Sequence, residues 1–260
     1  MITISIITCT YQAEAVLERT LESVFMQGYA NVEHLIIDGA STDGTLALAD
    51  DYRKRTLEAE NGHRVSIVSE RDKGLYDAMN KGIAKATGDY LVFLNAGDVL
   101  PHRDTLEQIS CNVADGETLP AVLYGETDVV NMEGHFLHHR RLQASAHLTW
   151  RSFRQGMLVC HQAFYARTDL ARATPYNLHY RLSADVDWCI RVMKSAESQH
   201  LPLRHVGFVV VNYLEGGMSV KNHRASLKER FHIMRDHYGL PVTLAMHVWF
   251  VIRAAIGRGG

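Results

Sequence analysis

SERDKGLYDAMNKGIAKATGDYLVFLNAGD, the stretch from Ser69 to Asp98, decides the fold. It opens as a charged loop carrying Glu70, Arg71, Asp72 and Lys73. Leu75, Met79, Ile83 and Ala86 then recur at three- and four-residue steps while Asp77, Lys81 and Lys85 point elsewhere, and that spacing predicts an amphipathic helix. Gly88 supplies its stop. Tyr90 to Leu94 is a short, apolar, β-favouring run, which suits a strand buried on both faces of a parallel sheet. Asn95, Ala96, Gly97 and Asp98 therefore fall at its carboxyl end, the rim where open α/β sheets bind ligands.

Upstream, the β-branched run Thr3 to Thr8 predicts a first strand, Thr8 to Gln12 a polar turn, and Glu14 to Met26 a helix. VEHLIID, Val32 to Asp38, is a second strand, and Gly39 to Thr45 a tight loop opening the next helix with Ser41 or Thr42 as its N-cap. Arg64 to Ser69 is a third strand. Strand and helix alternating at this spacing predict right-handed βαβ units and a parallel sheet. No G-x-G-x-x-G follows the first strand and no G-x-x-x-x-G-K-[ST] occurs, which disfavours a dinucleotide-binding Rossmann domain and a P-loop.

Downstream of Pro101 the alternation weakens. Leu119 to Tyr124 reads as a strand, Asp128 to Leu137 as a hairpin turning near Glu133-Gly134, Cys160 to Tyr165 as a strand starting with His161 and Gln162, and Leu203 to Val211 as a late strand. Ser183 to Met193 reads as a helix with Ser183 at the N-cap and Asp185 and Asp187 in its first turn. His138 to Arg141, with Arg151 and Arg154, forms a cationic group that is either a solvated face or a meeting point for an anionic ligand.

A chain of 260 residues, 47% of them hydrophobic, can bury one substantial core. With 27 basic against 29 acidic residues, no global field recruits nucleic acid. Cys9, Cys111, Cys160 and Cys189 lack CxxC spacing, which points to reduced thiols in a cytoplasmic protein rather than a zinc site or a disulfide frame. No secretory signal is seen at the N-terminus. Val242 to Ile256 is apolar but shorter than the roughly 20 residues of a spanning helix and is interrupted by His247 and Arg253. Two readings stay open for it: a helix lying on an anionic membrane surface, with Trp249, Phe250, Arg253 and Arg258 at the interface, or a helix covered by protein.

Asp38, Asp72 and Asp98 each close a strand or open a loop, so a parallel sheet brings them to one rim. A sugar nucleotide needs such a place: a polar contact for the base, another for the ribose, and a divalent cation on carboxylate oxygen to neutralise the diphosphate. Turn capping is the plain alternative for Asp38 and Asp43.

DKGLYDAMNKGIAKATGDYLVFLNAGD resembles the second half of the donor-binding region of family-two glycosyltransferases, inverting GT-A enzymes that use nucleotide-activated sugars, and is most similar to bacterial exopolysaccharide enzymes of the colanic-acid type. IITCTYQ, Ile6 to Gln12, is similar to the first-strand element over the nucleoside, with Gln12 where Asn is usual. IIDGASTDGT, Ile36 to Thr45, resembles a motif with two adjacent acidic residues, of which Asp38 is kept and the second is Gly39. NAGD takes the place of the metal-binding DxD element, with Asp98 at its metal ligand and Gly97 in place of the preceding carboxylate. LSADVDW, Leu182 to Trp188, resembles the segment that carries the general base, here Asp185, and His161-Gln162 resembles a pair near the acceptor or diphosphate. GGMS, Gly216 to Ser219, with Lys221, His223 and Arg224, resembles a segment that closes over the donor.

The resemblance covers about residues 3 to 220. It implies an α/β GT-A fold: a mainly parallel nucleotide-binding sheet flanked by helices, with a smaller mixed or antiparallel acceptor side. Residues 1–100 would form the donor half, 101–220 the acceptor half, and 221–260 a C-terminal helical segment. It implies donor contacts from Thr8, Thr10, Tyr11, Asp38, Ser41, Asp72, Lys73, Gly74, Asn80, Asn95, Ala96 and Gly97, and Mg²⁺ or Mn²⁺ on Asp98. A UDP or GDP sugar, a lipid-linked saccharide acceptor at the inner face of the cytoplasmic membrane and a role in surface polysaccharide assembly follow as expectations; a homo-oligomer stays open. The rivals are a sugar nucleotidyltransferase, which would want a Gly-rich, cationic first loop that this chain lacks, and a non-catalytic binding subunit, suggested by Gly39 and Gly97.

Overall fold

The computed structural model describes residues 1–113, 118–216 and 223–256. Its first part is the expected alternation: β1 (Ile4–Thr10), α1 (Glu14–Phe25), β2 (Val32–Asp38), α2 (Thr45–Ala59), β3 (Arg64–Ser69), α3 (Leu75–Lys85) and β4 (Tyr90–Phe93). β1 lies between β2 and β4, β3 flanks β2, and all these pairs are parallel. Every residue of β1, β2 and β4 is buried, as their unbroken apolar runs require, whereas edge strand β3 alternates. The register aligns the strand ends into a rim. Thr10 pairs with Asp38 and Asp38 with Ser69, so three adjacent strands end on one line. Ile7 pairs with Phe93, which sets Asn95 and Asp98 just beyond the same rim.

The second part continues the sheet with a change of direction. After α4 (Thr105–Ser110) come β5 (Val122–Val130), β6 (Phe136–His139), a 3₁₀ turn Trp150–Gln155, a second 3₁₀ turn His161–Ala163, β7 (Phe164–Arg167), α5 (Thr168–Ala173), α6 (Ala184–Ser198), β8 (Leu203–Leu214), α7 (His223–Tyr238) and α8 (Leu240–Ile256). β7 runs antiparallel to β4, β5 antiparallel to β7, β6 antiparallel to β5 and β8 parallel to β5. Five sequence expectations shift. Neither Ser41 nor Thr42 caps α2, which starts at Thr45 after Gly44, with Asp43 Oδ1 accepting the Thr45 N–H. His161 and Gln162 precede β7 in the tight turn rather than opening a strand. The strand expected at Leu119 begins at Val122, and the late strand runs on to Leu214. Ser183 stands at the N-cap of α6, but its hydroxyl meets Ser226 at 2.9 Å instead of capping the helix.

An aromatic stack ties the two parts together. Trp188 of α6 stacks on Tyr176 with centroids 4.9 Å apart and meets Phe93 of β4 edge-on at 5.6 Å; Tyr76 of α3 stacks on the same Tyr176 at 5.2 Å. The cationic group of the sequence has structural partners: Arg140 donates to the carbonyls of Leu142, Met157 and Leu158, His139 meets Asp128, and Arg151 pairs with Glu197. All four cysteines are free thiols. Among the described residues no helix is long and apolar enough to cross a membrane.

Gly82 shows how closely α3 lies on the sheet. A Cβ there would stand 2.5 Å from Ile7 Cγ2 and 3.5 Å from Ile37 Cγ1. For Gly82→Ala, overpacking of about 1–3 kcal/mol outweighs a helix-propensity gain of about 1 kcal/mol. The expected outcome is a lower urea midpoint at unchanged slope; an unchanged or raised midpoint would mean that α3 sits further from β1 than described.

Candidate active site

The rim at the carboxyl ends of β1 to β4 is built from two groups of side chains. The first is centred on Asp38, which is 1% exposed. Its Oδ1 accepts from Thr10 at 3.0 Å and from the Ser41 hydroxyl at 2.5 Å, and its Oδ2 from Ser69 at 2.7 Å and the Ser41 N–H at 2.9 Å. Burial pushes the Asp38 pKa up, but these donors outweigh it and hold the group below the ordinary carboxylate value. Asp38 thus ties three strand ends and the 39–45 loop, and its oxygens are not left open as the expected donor contact would have them. Ser41 is likewise engaged, also accepting the Gln12 N–H at 2.9 Å. Tyr11, by contrast, is 69% exposed beside this knot.

Gly39, where the resemblance leads one to expect a second acid, has a packing reason. A Cβ there would come within 2.6 Å of Asp72 Oδ2 and 3.3 Å of the Tyr11 ring. Asp72 therefore reaches from the β3–α3 loop into the space that a side chain at 39 would take. Its other oxygen accepts the Gly74 N–H at 2.8 Å, and Gly74 adopts φ +122 with open space around it. Lys73 is exposed next to them.

The second group is a relay of polar contacts. Asn95 Nδ2 lies 3.2 Å from His161 Nε2, His161 Nδ1 lies 3.3 Å from Asp185 Oδ2, and Tyr76 donates to Asp185 Oδ1 at 3.3 Å. Burial raises the Asp185 pKa, and the hydrogen bond and charge of His161, the charge of Arg230 and the Val186 N–H overcome it, so Asp185 is held below the usual carboxylate range. Its side chain keeps 15% of its surface exposed. Asp187, two residues on, is different: Arg191 Nε at 2.7 Å and His237 Nε2 at 2.8 Å occupy both its oxygens.

Asp98 lies beside this relay, 3% exposed. Oδ1 accepts the Leu214 N–H at 2.9 Å and Oδ2 the Gln162 amide at 3.0 Å. Burial dominates here and raises its pKa to about 6, against those two donors and the charges of His161 and Arg19. Among the described residues each oxygen accepts one hydrogen bond, and Asn95 Oδ1 is buried with no partner. One carboxylate and one orphaned amide oxygen fit a hard cation that completes its shell with phosphate and water. No group of three His, Cys, Asp or Glu able to hold a metal occurs among the described residues. Gly97 explains the missing neighbouring carboxylate: it adopts φ +100, and a Cβ would lie 2.7 Å from Leu214 Cδ2.

Two further expected donor contacts, Thr8 and Asn80, have partners within the protein. The Thr8 hydroxyl lies 2.9 Å from His34 Nε2 and is fully buried. Asn80 holds the backbone of Tyr176 at both ends of its amide, at 3.0 and 2.7 Å. Gly216 is described, but Gly217 to Ser219 and Lys221 lie outside the described residues. Tyr76 and Arg230 carry no sequence signal of a role; the only local hint for Tyr76 was its place in the α3 motif.

Residues 5–175 match the family model Glycosyl transferase family 2, and the chain belongs to that family. It is a nucleotide-sugar-dependent glycosyltransferase with a GT-A fold. Among its relatives, the PGL/p-HBAD biosynthesis glycosyltransferase of Mycobacterium bovis (strain BCG / Pasteur 1173P2) is 36% identical over 217 residues, 83% of this chain and 78% of that protein. A putative glycosyltransferase, EpsE of Bacillus subtilis (strain 168), is 32% identical over 41% of this chain and 37% of its own. In fold, S. aureus TarS 1-349 in complex with UDP-GlcNAc superposes with a TM-score of 0.69 at 17% identity, over 90% of this chain and 64% of that one. The mannosyltransferase PcManGT of Pyrobaculum calidifontis, in complex with GDP-Man and Mn2+, gives 0.56 at 18% identity over 100% and 76%.

A carboxyl-carbon NMR titration of the metal-free protein is expected to show Asp98 titrating near the raised value of about 6. Gln162→Leu, which removes one donor from the anion, should move it up by about one further unit. A midpoint at the ordinary value of an exposed Asp would refute the buried environment described.

Proposed function

We propose that this glycosyltransferase transfers a sugar with inversion from a UDP or GDP sugar to a lipid-linked saccharide acceptor in bacterial surface or exopolysaccharide assembly. The observation that carries the reading is the relay Asn95–His161–Asp185–Tyr76, which brings a partly exposed carboxylate to the rim where Asp98 lies. Inversion in a single displacement needs a carboxylate on the face opposite the leaving nucleotide, to accept the acceptor hydroxyl proton as the oxygen attacks the anomeric carbon. Asp185 suits that task better than Asp187, because His161 and Tyr76 orient it without enclosing it. The nucleoside would lie over Tyr11 and the 39–41 and 72–74 loops, with Asp72 supplying the acidic contact that Gly39 lacks. Asp98, with Asn95 Oδ1 and the diphosphate, would hold Mg²⁺ or Mn²⁺, which supplies charge neutralisation of the leaving group. His161 and Gln162 then stand between the base and the diphosphate. Gly39 and Gly97, which on sequence favoured a non-catalytic subunit, both have packing reasons, and that rival loses its motive.

The exposed apolar face of α8 supports access to a lipid-borne acceptor. Leu240, Leu244, Val248, Trp249, Val251 and Ile252 are exposed along one half of its circumference. A helix of this kind lies in the plane of a membrane surface with its apolar face down. Residues 1–220 would then be the transfer unit, with the C-terminal helices bringing it to the cytoplasmic face of the membrane.

A thermal-shift screen of UDP, GDP, TDP and CDP with Mn²⁺ should show stabilisation by one of the first two that EDTA abolishes. With the matching sugar nucleotide, Asp185→Asn should lower kcat by about 10²–10⁴ while nucleotide binding is retained; transfer near the wild-type rate would exclude Asp185 as base. The protein should float with phosphatidylglycerol vesicles, and the pair Val248→Asp and Val251→Asp should leave it in the soluble fraction. Flotation unchanged by those substitutions, or none at all, would remove α8 as the contact.

A further inference from the structure

The loop that delivers Asp185 is held by a helix that comes some forty residues later in the chain. Glu229 of α7 accepts three consecutive backbone N–H groups with one carboxylate: Arg181 on Oε1 at 2.9 Å, and Leu182 and Ser183 on Oε2 at 2.9 Å each. Ser226, one turn earlier, meets the Ser183 hydroxyl at 2.9 Å. Further along α7, His237 holds Asp187 at 2.8 Å. α6 has no side-chain cap of its own. Its entry is therefore fixed from outside, at residues 181–183 and again at 187, and Asp185 lies between the two fixed points. Charge-assisted bonds from successive amides are the stronger kind, and three on one carboxylate determine the direction of the chain as well as its position.

We infer that Glu229 is a positioning residue for the reaction: through the Arg181, Leu182 and Ser183 amides it sets the start of α6, and so sets where the Asp185 carboxylate meets the acceptor hydroxyl. The inference rests on the reading of Asp185 as the base. It makes α7 part of the reacting machinery rather than an appendage to a transfer unit ending at 220. The adjoining side chain, Arg230, belongs to the same surface: among the described residues its buried Nε has no hydrogen-bond partner, and its charge acts on Asp185. The cleft of about 510 Å³ on the outer side, lined by His179, Tyr180, Lys228, Glu229, His232 and Arg235, leaves the clamp open to solvent from behind. That makes a substitution at 229 tolerable for folding.

The test compares Glu229→Gln and Glu229→Asp with the wild type, alone and on an Asp185→Asn background. Gln keeps the shape but offers one acceptor atom and an N–H₂ that opposes the third amide; Asp keeps the charge but withdraws it by one methylene. Both are expected to speed amide hydrogen exchange across 181–187 by about tenfold. Both should lower kcat by about 10- to 100-fold, since a misplacement near 1 Å has that effect, with KM for the sugar nucleotide selected by the screen changing by less than about threefold. On the Asp185→Asn background the same substitutions should cause no further loss, because positioning an absent base has no effect. Unchanged exchange across 181–187, kcat within about twofold of wild type, or losses that multiply on the Asp185→Asn background would each overturn the assignment. Asp185→Asn with near-wild-type transfer, measured in the same series, would instead remove the base reading. Should no sugar nucleotide be turned over, the exchange measurement on the free protein still decides whether the clamp exists.

Discussion

A single buried carboxylate, that of Asp38, organises the parallel half of this molecule. Four donors from β1, β3 and the 39–45 loop converge on it, and the parallel register is what makes that convergence available, because Thr10, Asp38 and Ser69 are direct neighbours across three strands. An anion buried this deeply is tolerable only when its lone pairs are filled, and hydrogen bonds to charged groups are worth about 1.5–3 kcal/mol each against the desolvation they offset. The same loops are stitched a second time at the surface: Gln12 accepts from the Thr42 and Asp43 amides, and Glu14 from Gly44. The outcome is a rigid floor on which Tyr11, Asp72 and the Asn95–Asp98 turn keep fixed separations.

The other side of the cleft is fixed by different means. Nothing there resembles a strand-end knot; α6 is set by the packing of Trp188 against Phe93 and Tyr176, and by contacts from α7. The ring stack gives the distance between helix and sheet, and the carboxylate clamp gives the pitch at which the helix begins. Asp185 thereby faces His161 and Tyr76, whereas Asp187, of the same residue type and only two positions away, is enclosed by Arg191 and His237. Two acids in one helical turn are thus given different surroundings by what lies on each side of the helix.

The parallel half was legible in the sequence to within a residue or two at most ends, because fully buried strands leave long β-branched runs that no other element explains. What a run of letters does not carry is the partner each side chain finds. Thr8 and Thr10 share one face of β1 and read alike, yet one meets His34 and the other, two residues on, Asp38 at the rim. Asn80 stood in a motif beside site residues and turned out to hold the Tyr176 backbone. Gly39 and Gly97 read as losses of acid, when one makes room for Asp72 and the other meets Leu214 from a left-handed backbone. Glu229 was invisible for a plainer reason: its partners are 46 to 48 positions earlier, and an acid on an amphipathic helix has no mark that separates a clamp from a solvated side chain.

The hydrogen bond from the Leu214 amide to Asp98 joins the last residue of β8 to the turn after β4, across 116 positions of chain. The parallel strands and the downstream strands therefore do not form interchangeable modules. A chimera that took residues 1–100 from a relative and the remainder from this protein would inherit the pleats of one parent and the counter-dipole of the other. The surroundings of the Asp98 carboxylate would then depend on a junction that neither parent sequence displays.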